Sequence, residues 1–418
     1  MGDRLNNHIL SDHILSNRIL SNRIQKSALE RISKESEIMI GILTFHKSVN
    51  YGSVLQAWAL QRMLALKGIE SEIIDYEPEK YGELYDVFLK PGRPHFLVKN
   101  INRVPVMAIL AGQKKSFERF RRDNLKLSTE SYTSANQEEI ARKDYEAIIC
   151  GSDQIWNTGA SDADTVYFLP FDIPGRKAAY AVSLNTGSFD SGVRGELYKR
   201  WISDYDYLSC REQNGVDKLR SLLGDDRQVD LNLDPTLLHN RVEYARITSP
   251  KLIRGKYIFV YYVWFDSSIV NAARMISRRT GLPAYTIEMA KGGRAYLRLI
   301  KNGIRPVTRT LAPGDYLSLI KNAAYVVTDS FHGTAFSLIF EKQFVCINDG
   351  DETRGYKDDV RIKGILGRLG LEDRYITSGE AESFDLDRPV NFKKVTKKRL
   401  ELAEESIGRL LGALGKET

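Results

Sequence analysis

The chain has 418 residues, 42% of them hydrophobic and 28% charged, an ordinary globular balance in a length that accommodates two domains of usual size. Its three cysteines, Cys150, Cys210 and Cys346, lie far apart, so neither a disulfide framework nor a cysteine-based metal site is expected. The formal charge of +7 is local, because the segment from Lys90 to Lys126 holds ten basic residues against Glu118 and Asp123 alone.

The first 25 residues repeat at a period of five: Asn7-His8-Ile9-Leu10-Ser11, Asp12-His13-Ile14-Leu15-Ser16, Asn17-Arg18-Ile19-Leu20-Ser21. A period of five matches neither helix nor strand, and the stretch reads as a flexible tail or an oligomerisation arm. It lacks an apolar signal core, and the longest apolar run, Tyr257 to Phe265, falls far short of the ~20 residues that cross a bilayer. The chain is therefore expected to be soluble and cytoplasmic.

The body begins near Met39, where Ile38 to Thr44 reads as a buried first strand. The polar loop Phe45 to Ser53 follows, then apolar residues at helical spacing from Val54 to Lys67, with Gly68 at the helix exit and Glu72 to Tyr76 as the next strand. The basic segment comes next. It also carries Phe96, Leu97, Val98, Val104, Val106, Met107, Ile109 and Leu110. It reads either as a solvated basic face over a buried apolar side, or as a surface for an acidic substrate or an anionic membrane, which would make the protein peripheral to that membrane. No nucleic-acid-binding motif accompanies the charge, so nucleic acid is not an expected partner.

Strand and polar loop recur at Ala147 to Cys150, followed by Gly151-Ser152-Asp153-Gln154-Ile155-Trp156-Asn157. Ala178 to Val182 reads as another strand, Asp206 to Glu212 as a strand ending on a charged pair, and Leu231 to Leu238 as a last strand whose pairing Pro235 breaks. A second set starts at Lys256: strands Tyr257 to Trp264, Ala284 to Ile287, Tyr325 to Thr328 and Phe344 to Ile347, with helices Ser267 to Thr280, Gly314 to Asn322 and Thr334 to Glu341. About Lys394 to Leu414, a last helix brings Leu400, Ile407, Leu410, Leu411 and Leu414 to one side and should pack. The fold class is α/β, with two doubly wound Rossmann-like domains facing across a cleft. The boundaries fall at 1–37 for the tail, 38–245 and 246–390 for the domains, and 391–418 for the packing helix.

The segment Tyr325 to Phe336 carries the most chemistry. A strand runs into Asp329-Ser330-Phe331-His332-Gly333 and then a helix, so a helix N-terminus opens at the ligand end of a sheet, where it suits an anion, and His332 adds a titratable proton. A histidine that only caps the helix or fills a polar corner is the plainer alternative. Six basic residues and no acidic one stand from Lys291 to Thr310, including Arg305 and Arg309, and Arg354 and Arg361 flank a later polar stretch. Arginine grips phosphate and carboxylate bidentately, so these are candidate anion ligands.

Six stretches together resemble the polysaccharide pyruvyl transferase family. They are Phe45-His46 through Asn50-Tyr51-Gly52-Ser53-Val54-Leu55-Gln56, Gly151 to Asn157, Ser209-Cys210-Arg211-Glu212, Asp234-Pro235-Thr236-Leu237-Leu238, Thr328 to Thr334, and Gly367 to Arg374. The resemblance implies a two-domain fold similar to glycosyltransferase type B. It also implies transfer of the enolpyruvyl unit of phosphoenolpyruvate onto two hydroxyls of a sugar, making a pyruvate ketal on a cell-surface polysaccharide such as a capsule or exopolysaccharide.

On this resemblance the 38–245 domain is the acceptor side and the 246–390 domain the donor side. His332 matches the family histidine at the phosphoenolpyruvate, and Arg211 an arginine near the same ligand. The chain departs from the family at Ser330, where many members carry an arginine in an Arg-Leu-His pattern. Arg305, Arg309, Arg354 and Arg361 are then the candidates to supply the missing guanidinium, with Ser330 and Gly333 beside the donor. Ketal formation needs an acid, a base and cations for the carboxylate and departing phosphate. His332 is assigned as acid or phosphate partner, and Asp153 and Asp329 as hydroxyl contacts or bases. His46, Asn50, Tyr51, Gln154 and Asn157 are assigned to an acceptor that is free or lipid-linked. Neither metal nor cofactor is expected, phosphoenolpyruvate being a co-substrate. The alternatives are a glycosyltransferase of the same fold using a nucleotide sugar, and a non-catalytic protein of glycan assembly.

Overall fold

A computed structural model describes residues 39–86, 88, 91, 96–104, 107–185, 187, 189, 192–263, 267–287, 293–349 and 359–416. The five-residue repeat and Arg354 lie outside the described residues. Everything below concerns the unit formed by Ile40–Thr418.

Short apolar runs rich in isoleucine, valine and tyrosine build two sheets whose central strands are buried on both faces, as parallel sheets require. The first contains β1 (Met39–Leu43), β2 (Ser71–Tyr76), β3 (Leu127–Tyr132), β4 (Tyr145–Asp153), β5 (Arg176–Val182), β6 (Tyr207–Cys210) and β7 (Asp230–Leu231). Its order is β3-β2-β1-β4-β5-β6-β7, with parallel pairing. The second contains β8 (Ile258–Tyr261), β9 (Ala284–Thr286), β10 (Ile304–Pro306), β11 (Tyr325–Thr328), β12 (Gln343–Ile347) and β13 (Tyr375–Ile376), parallel in the order β10-β9-β8-β11-β12-β13. In both sheets the order reverses beside the first strand, between β1 and β4 and between β8 and β11. That is where a doubly wound sheet opens a crevice at its strand ends.

With the first sheet go α1 (Tyr51–Leu66), α2 (Tyr81–Tyr85), α3 (Phe96–Arg103), α4 (Met107–Asn124), α5 (Val193–Ser203), α6 (Gln213–Leu223) and α7 (Arg241–Ala245). With the second go α8 (Ser267–Thr280), α9 (Gly293–Lys301), α10 (Pro313–Lys321), α11 (Phe331–Ile339) and α12 (Val360–Leu369), and α13 (Phe392–Ala413) ends the chain. Asn50 caps α1 by accepting from the amides of Gly52 (2.9 Å) and Ser53 (3.4 Å), and Gly68 takes φ 71° behind it, so the polar loop and the glycine do what the sequence assigns to them. Apolar on nearly every side, α1 is buried along most of its length. Its Tyr51 stacks on Tyr316 of α10 with ring centroids 4.9 Å apart, and one hydrophobic core continues from Ile42 and Val54 through Tyr316 to Phe259 and Phe336.

Three expectations change. Leu231 to Leu238, a strand and its exit broken at Pro235, is nearly all exit: β7 stops at Leu231 and Pro235–Leu238 forms a single 3-10 turn, since proline offers no amide to a ladder. The helix expected from Thr334 starts at Phe331, which moves His332 from the turn into the helix itself. In α13 Leu410, Leu411 and Leu414 are buried, but Leu400 is exposed and Val395, Arg399, Ala403 and Ser406 take the inner face. That face packs on the exit from the first sheet. Arg399 Nη1 donates to the His239 carbonyl (2.9 Å), and Ser406 Oγ accepts from the Leu233 amide (3.0 Å).

Candidate functional site at the paired switch points

Three strand ends of the first sheet converge on one guanidinium. Arg211, just beyond β6, donates from Nη1 to Asp234 Oδ2 (2.7 Å) and from Nη2 to Asp153 Oδ1 (3.4 Å), and its Nε lies 3.7 Å from Glu212 Oε2. All four side chains are almost wholly withdrawn from water. Asp234 Oδ1 accepts from the Thr236 amide and hydroxyl (2.9 and 2.7 Å), and its Oδ2 also accepts from Ser152 Oγ (3.2 Å). Asp153 Oδ2 accepts a short bond of 2.5 Å from Ser53 Oγ in the first turn of α1. At Asp153 φ is 74°, a left-handed conformation that costs a non-glycine residue about 1–3 kcal/mol and tends to cluster at functional sites.

Burial pushes each of these carboxyls up, and the neighbours decide the outcome. For Asp234, His332, Arg211 and Thr236 outweigh burial and hold the group well below the usual carboxylate range. Arg211, His332 and the Ser53 hydroxyl likewise hold Asp153 below its ordinary value. At Glu212 burial wins and its carboxyl is raised, although Oε1 accepts from the amides of Leu184 and Asn185 at 2.9 and 3.1 Å.

The second sheet supplies the remaining side of this group. The Phe331 ring stands 4.6 Å from the Arg211 guanidinium carbon, a cation–π contact across the two halves. His332 Nε2 lies 3.8 Å from Asp234 Oδ2, an ion-pair spacing too long for a hydrogen bond, and this buried nitrogen has no hydrogen-bond partner. The imidazole leans on the backbone of α1 so closely that a Cβ at Gly52 would come within 1.9 Å of His332 Nδ1. Only glycine leaves room for the ring there. Ser330 is the N-cap of α11 and accepts from the Gly333 amide at 3.3 Å. A Cβ on Gly333 would meet Thr328 Oγ1 at 2.3 Å, so this glycine allows helix and strand to close up.

A small cleft opens beyond the ends of β1 and β2. Phe45, Tyr81, Tyr85 and Tyr167 wall it, and Lys47 and Asp162 bring charge to it. Lys47 is held by Asp75 (3.1 Å) and Glu77 (3.3 Å). Burial, with the Asp153 carboxylate nearby, pushes the Asp162 carboxyl up to about 6.

The structure thus brings His332, Asp153 and Arg211 together, but it spends the Arg211 guanidinium on carboxylates, so the site holds Arg211 as a keystone for Asp153 and Asp234 instead of a free anion clamp. Among the described candidate arginines, Arg361 is the one that interacts with the group. It is buried and paired through Nε with Asp359 (2.9 Å), and the Glu212 and Asp153 carboxylates act on it as well. Arg305 lies on the edge strand β10, exposed against Tyr285, and Arg309 is exposed beyond it; neither reaches the group. Asp329 accepts from the Val263 amide (2.8 Å) and ties β11 to the end of β8, which is a structural task.

On the other side, Gln154 accepts from the side-chain amides of Asn157 (2.9 Å) and Asn185 (3.1 Å), a polar frame behind Asp153. Asn50 is spent on capping. Tyr51 is not an acceptor contact: its ring is fully buried against Tyr316, and its hydroxyl accepts from Gln113 at 2.9 Å. His46 is equally enclosed, between the Thr44 carbonyl (3.2 Å) and Asp75 (3.0 Å). Gly52, Ser53, Asp234 and Asp162 were not among the expected site residues. An Asp-Pro just past a strand and a Gly-Ser at a helix start are visible in the sequence, but nothing near Asp162 announces its burial by distant tyrosines.

Two parallel sheets with paired switch points, bridged there by a buried charged group, define an α/β protein of the glycosyltransferase B fold. A protein from Listeria monocytogenes designated a UDP-N-acetylglucosamine 2-epimerase shares this fold, at 10% identity and TM-score 0.53, over 92% of this chain and 98% of that one. The UDP-GlcNAc 2-epimerase of Methanocaldococcus jannaschii aligns at 12% identity and TM-score 0.47 over 88% and 91% of the two chains. The E. coli heptosyltransferase WaaC with ADP aligns at 11% and 0.39 over 86% and 99%. A search of curated protein sequences finds no significant match. The profile of polysaccharide pyruvyl transferases matches residues 50–351, most of the chain and all of the buried group, and the chain belongs to that family.

Proposed function

We propose that this protein moves the enolpyruvyl unit of phosphoenolpyruvate onto two hydroxyls of a sugar in a cell-surface polysaccharide precursor. Family membership supports the reaction class. The single observation that carries the assignment of the site is His332, a buried imidazole with an unpartnered Nε2 beside Asp234, where the two halves meet.

The atoms balance without a redox step. C3 of the enol takes a proton, C2 takes the first hydroxyl oxygen while that hydroxyl gives its proton to a base, and the second hydroxyl displaces phosphate from C2 to close the ketal, its proton leaving on the phosphate as hydrogen phosphate. His332 delivers the proton to C3. Asp234 orients the ring, and Arg361 with the N-terminus of α11 receives the carboxylate and phosphate. The sugar approaches at the ends of β1 and β2, where Asp162 is the base for the attacking hydroxyl.

Purified protein incubated with phosphoenolpyruvate and free or lipid-linked sugars should release phosphate in step with a new ketal methyl signal. If nucleoside diphosphates raise the melting temperature and phosphoenolpyruvate does not, the donor is a nucleotide sugar and this reading fails.

The base assignment predicts a pH profile. Asp162 holds its proton more tightly folded than unfolded, so stability falls as pH rises from the ordinary carboxylate value near 4 to about 6. Asp162→Asn should melt higher than the parent above pH 6, with the gap closing below pH 4. Its rate should fall about 10²-fold or more, and the acidic limb near pH 6 should vanish from the rate profile. A variant that keeps that limb would remove Asp162 from the chemistry.

A further inference from the structure

We propose that α3 and α9, one from each half of the protein, form a single face that docks on an anionic lipid surface. The two helices touch. On α3 Leu97, Val98 and Ile101 are exposed at 62%, 57% and 68%, and Val104 and Met107 continue the patch beyond it. On α9 Leu297 and Ile300 are exposed at 58% and 50%. The spacing of 97, 98, 101 and 104, and of 297 and 300, is that of one helical stripe on each element. Soluble surfaces scatter large aliphatic side chains singly, and adjoining exposed stripes mark an interaction face.

Charge selects the occupant. Phe96–Arg103 contains Lys99 and Arg103, and Gly293–Lys301 contains Arg294, Arg298 and Lys301; neither helix has an aspartate or glutamate. Short helices with an apolar face, basic residues and no acid suit the boundary between acyl chains and anionic headgroups. Each basic residue near such a surface adds about 1 kcal/mol of attraction. A second copy of this chain is disfavoured, because a two-fold contact would set two helices of net positive charge against themselves. Among the described residues no helix is long and apolar enough to cross a membrane, so the contact lies in the interface. The basic segment read from the sequence is thus only half of the surface. Leu297 and Ile300 come from the other half of the chain, and of the two readings of the basic segment the one with a buried apolar side does not hold at Leu97, Val98 and Ile101.

Vesicle sedimentation with the full chain tests this without any substrate, so its result is independent of the reaction assigned above. The protein should pellet with vesicles of phosphatidylcholine containing 30% phosphatidylglycerol, less so as salt rises, and should stay in solution with phosphatidylcholine alone. Ile101→Asp on α3 and, separately, Leu297→Asp on α9 should each weaken binding at least tenfold with unchanged melting temperature, both positions being exposed. The proposal is overturned by absence of binding at low salt, by equal binding to neutral vesicles, or by a Leu297→Asp variant that binds like the parent. It is equally overturned if the protein is a dimer that Ile101→Asp splits into monomers, which would give the face to a second copy.

Discussion

Arg211→Met should lower the stability of the protein by about 3–5 kcal/mol at pH 7, the usual cost of leaving buried charges without their partner. Asp234 and Asp153 would each lose a bonded cation in a place closed to water, at 2.7 and 3.4 Å. In the parent their carboxyls lie below the ordinary value, so they contribute stability above about pH 4, and that contribution is lost as the pH falls through their folded values. Without the guanidinium, burial is opposed only by His332 and the Thr236 and Ser53 hydrogen bonds, so both carboxyls move up. The variant should therefore recover part of its deficit on acidification from pH 7 to pH 4, as the carboxyls take up protons. Urea unfolding at the two pH values reads this directly. An unchanged midpoint at pH 7 would mean that Arg211 is not the keystone of the group, and methionine keeps the bulk against Phe331 so that lost packing does not dominate.

The second large effect concerns the rate. His332→Asn should reduce turnover by about 10²–10⁴-fold, the range a positioned general acid supplies, while leaving the fold intact. The asparagine removes Nε2, which makes no hydrogen bond, but also its 3.8 Å approach to Asp234, so a melting curve run beside the assay separates lost stability from lost rate. Gly52→Ala offers a second route to the same point: its methyl would occupy the place of the imidazole, 1.9 Å from Nδ1, and displace the ring while keeping the histidine. Both variants should lose turnover in phosphate release from phosphoenolpyruvate. Turnover within tenfold of the parent for His332→Asn would take the proton transfer away from this residue.

Much of the architecture was legible along the chain. Strands buried on both faces announce themselves as short apolar runs, and each strand-loop-helix unit repeats the same grammar, so two doubly wound sets were readable before any coordinates. The elements that escaped notice have weak local signals. β3 alternates apolar and polar residues with a polar centre, β10 and β13 are only two or three residues long, and α9 sits inside a run that reads first as charge. The start of α11 was placed late because Phe331 and His332 look like turn residues until Ser330 is seen to cap them.

For the site, sequence separated the plausible from the idle only in part. His332, Asp153 and Arg211 carried recognisable signals and meet in space. Tyr51 and His46 carried equal signals, yet Tyr51 is spent on the interface between the sheets and His46 on holding Asp75. The four candidate arginines were indistinguishable by spacing. Of those described, only Arg361 lies close to the buried group, while Arg305 and Arg309 sit on or beyond the edge strand farthest from it.

Sequence by itself determined the fold class, the family and the short polar segments at the strand ends, because these depend on local periodicity and on residues adjacent in the chain. Tertiary structure alone decided which of those segments share a site, that Arg211 is consumed by carboxylates from three strand ends, that Gly52 makes room for His332, and that α3 and α9 expose their apolar stripes side by side. Each of these depends on distances between residues tens to hundreds of positions apart, and burial and charge pairing are set by those distances, not by order along the chain.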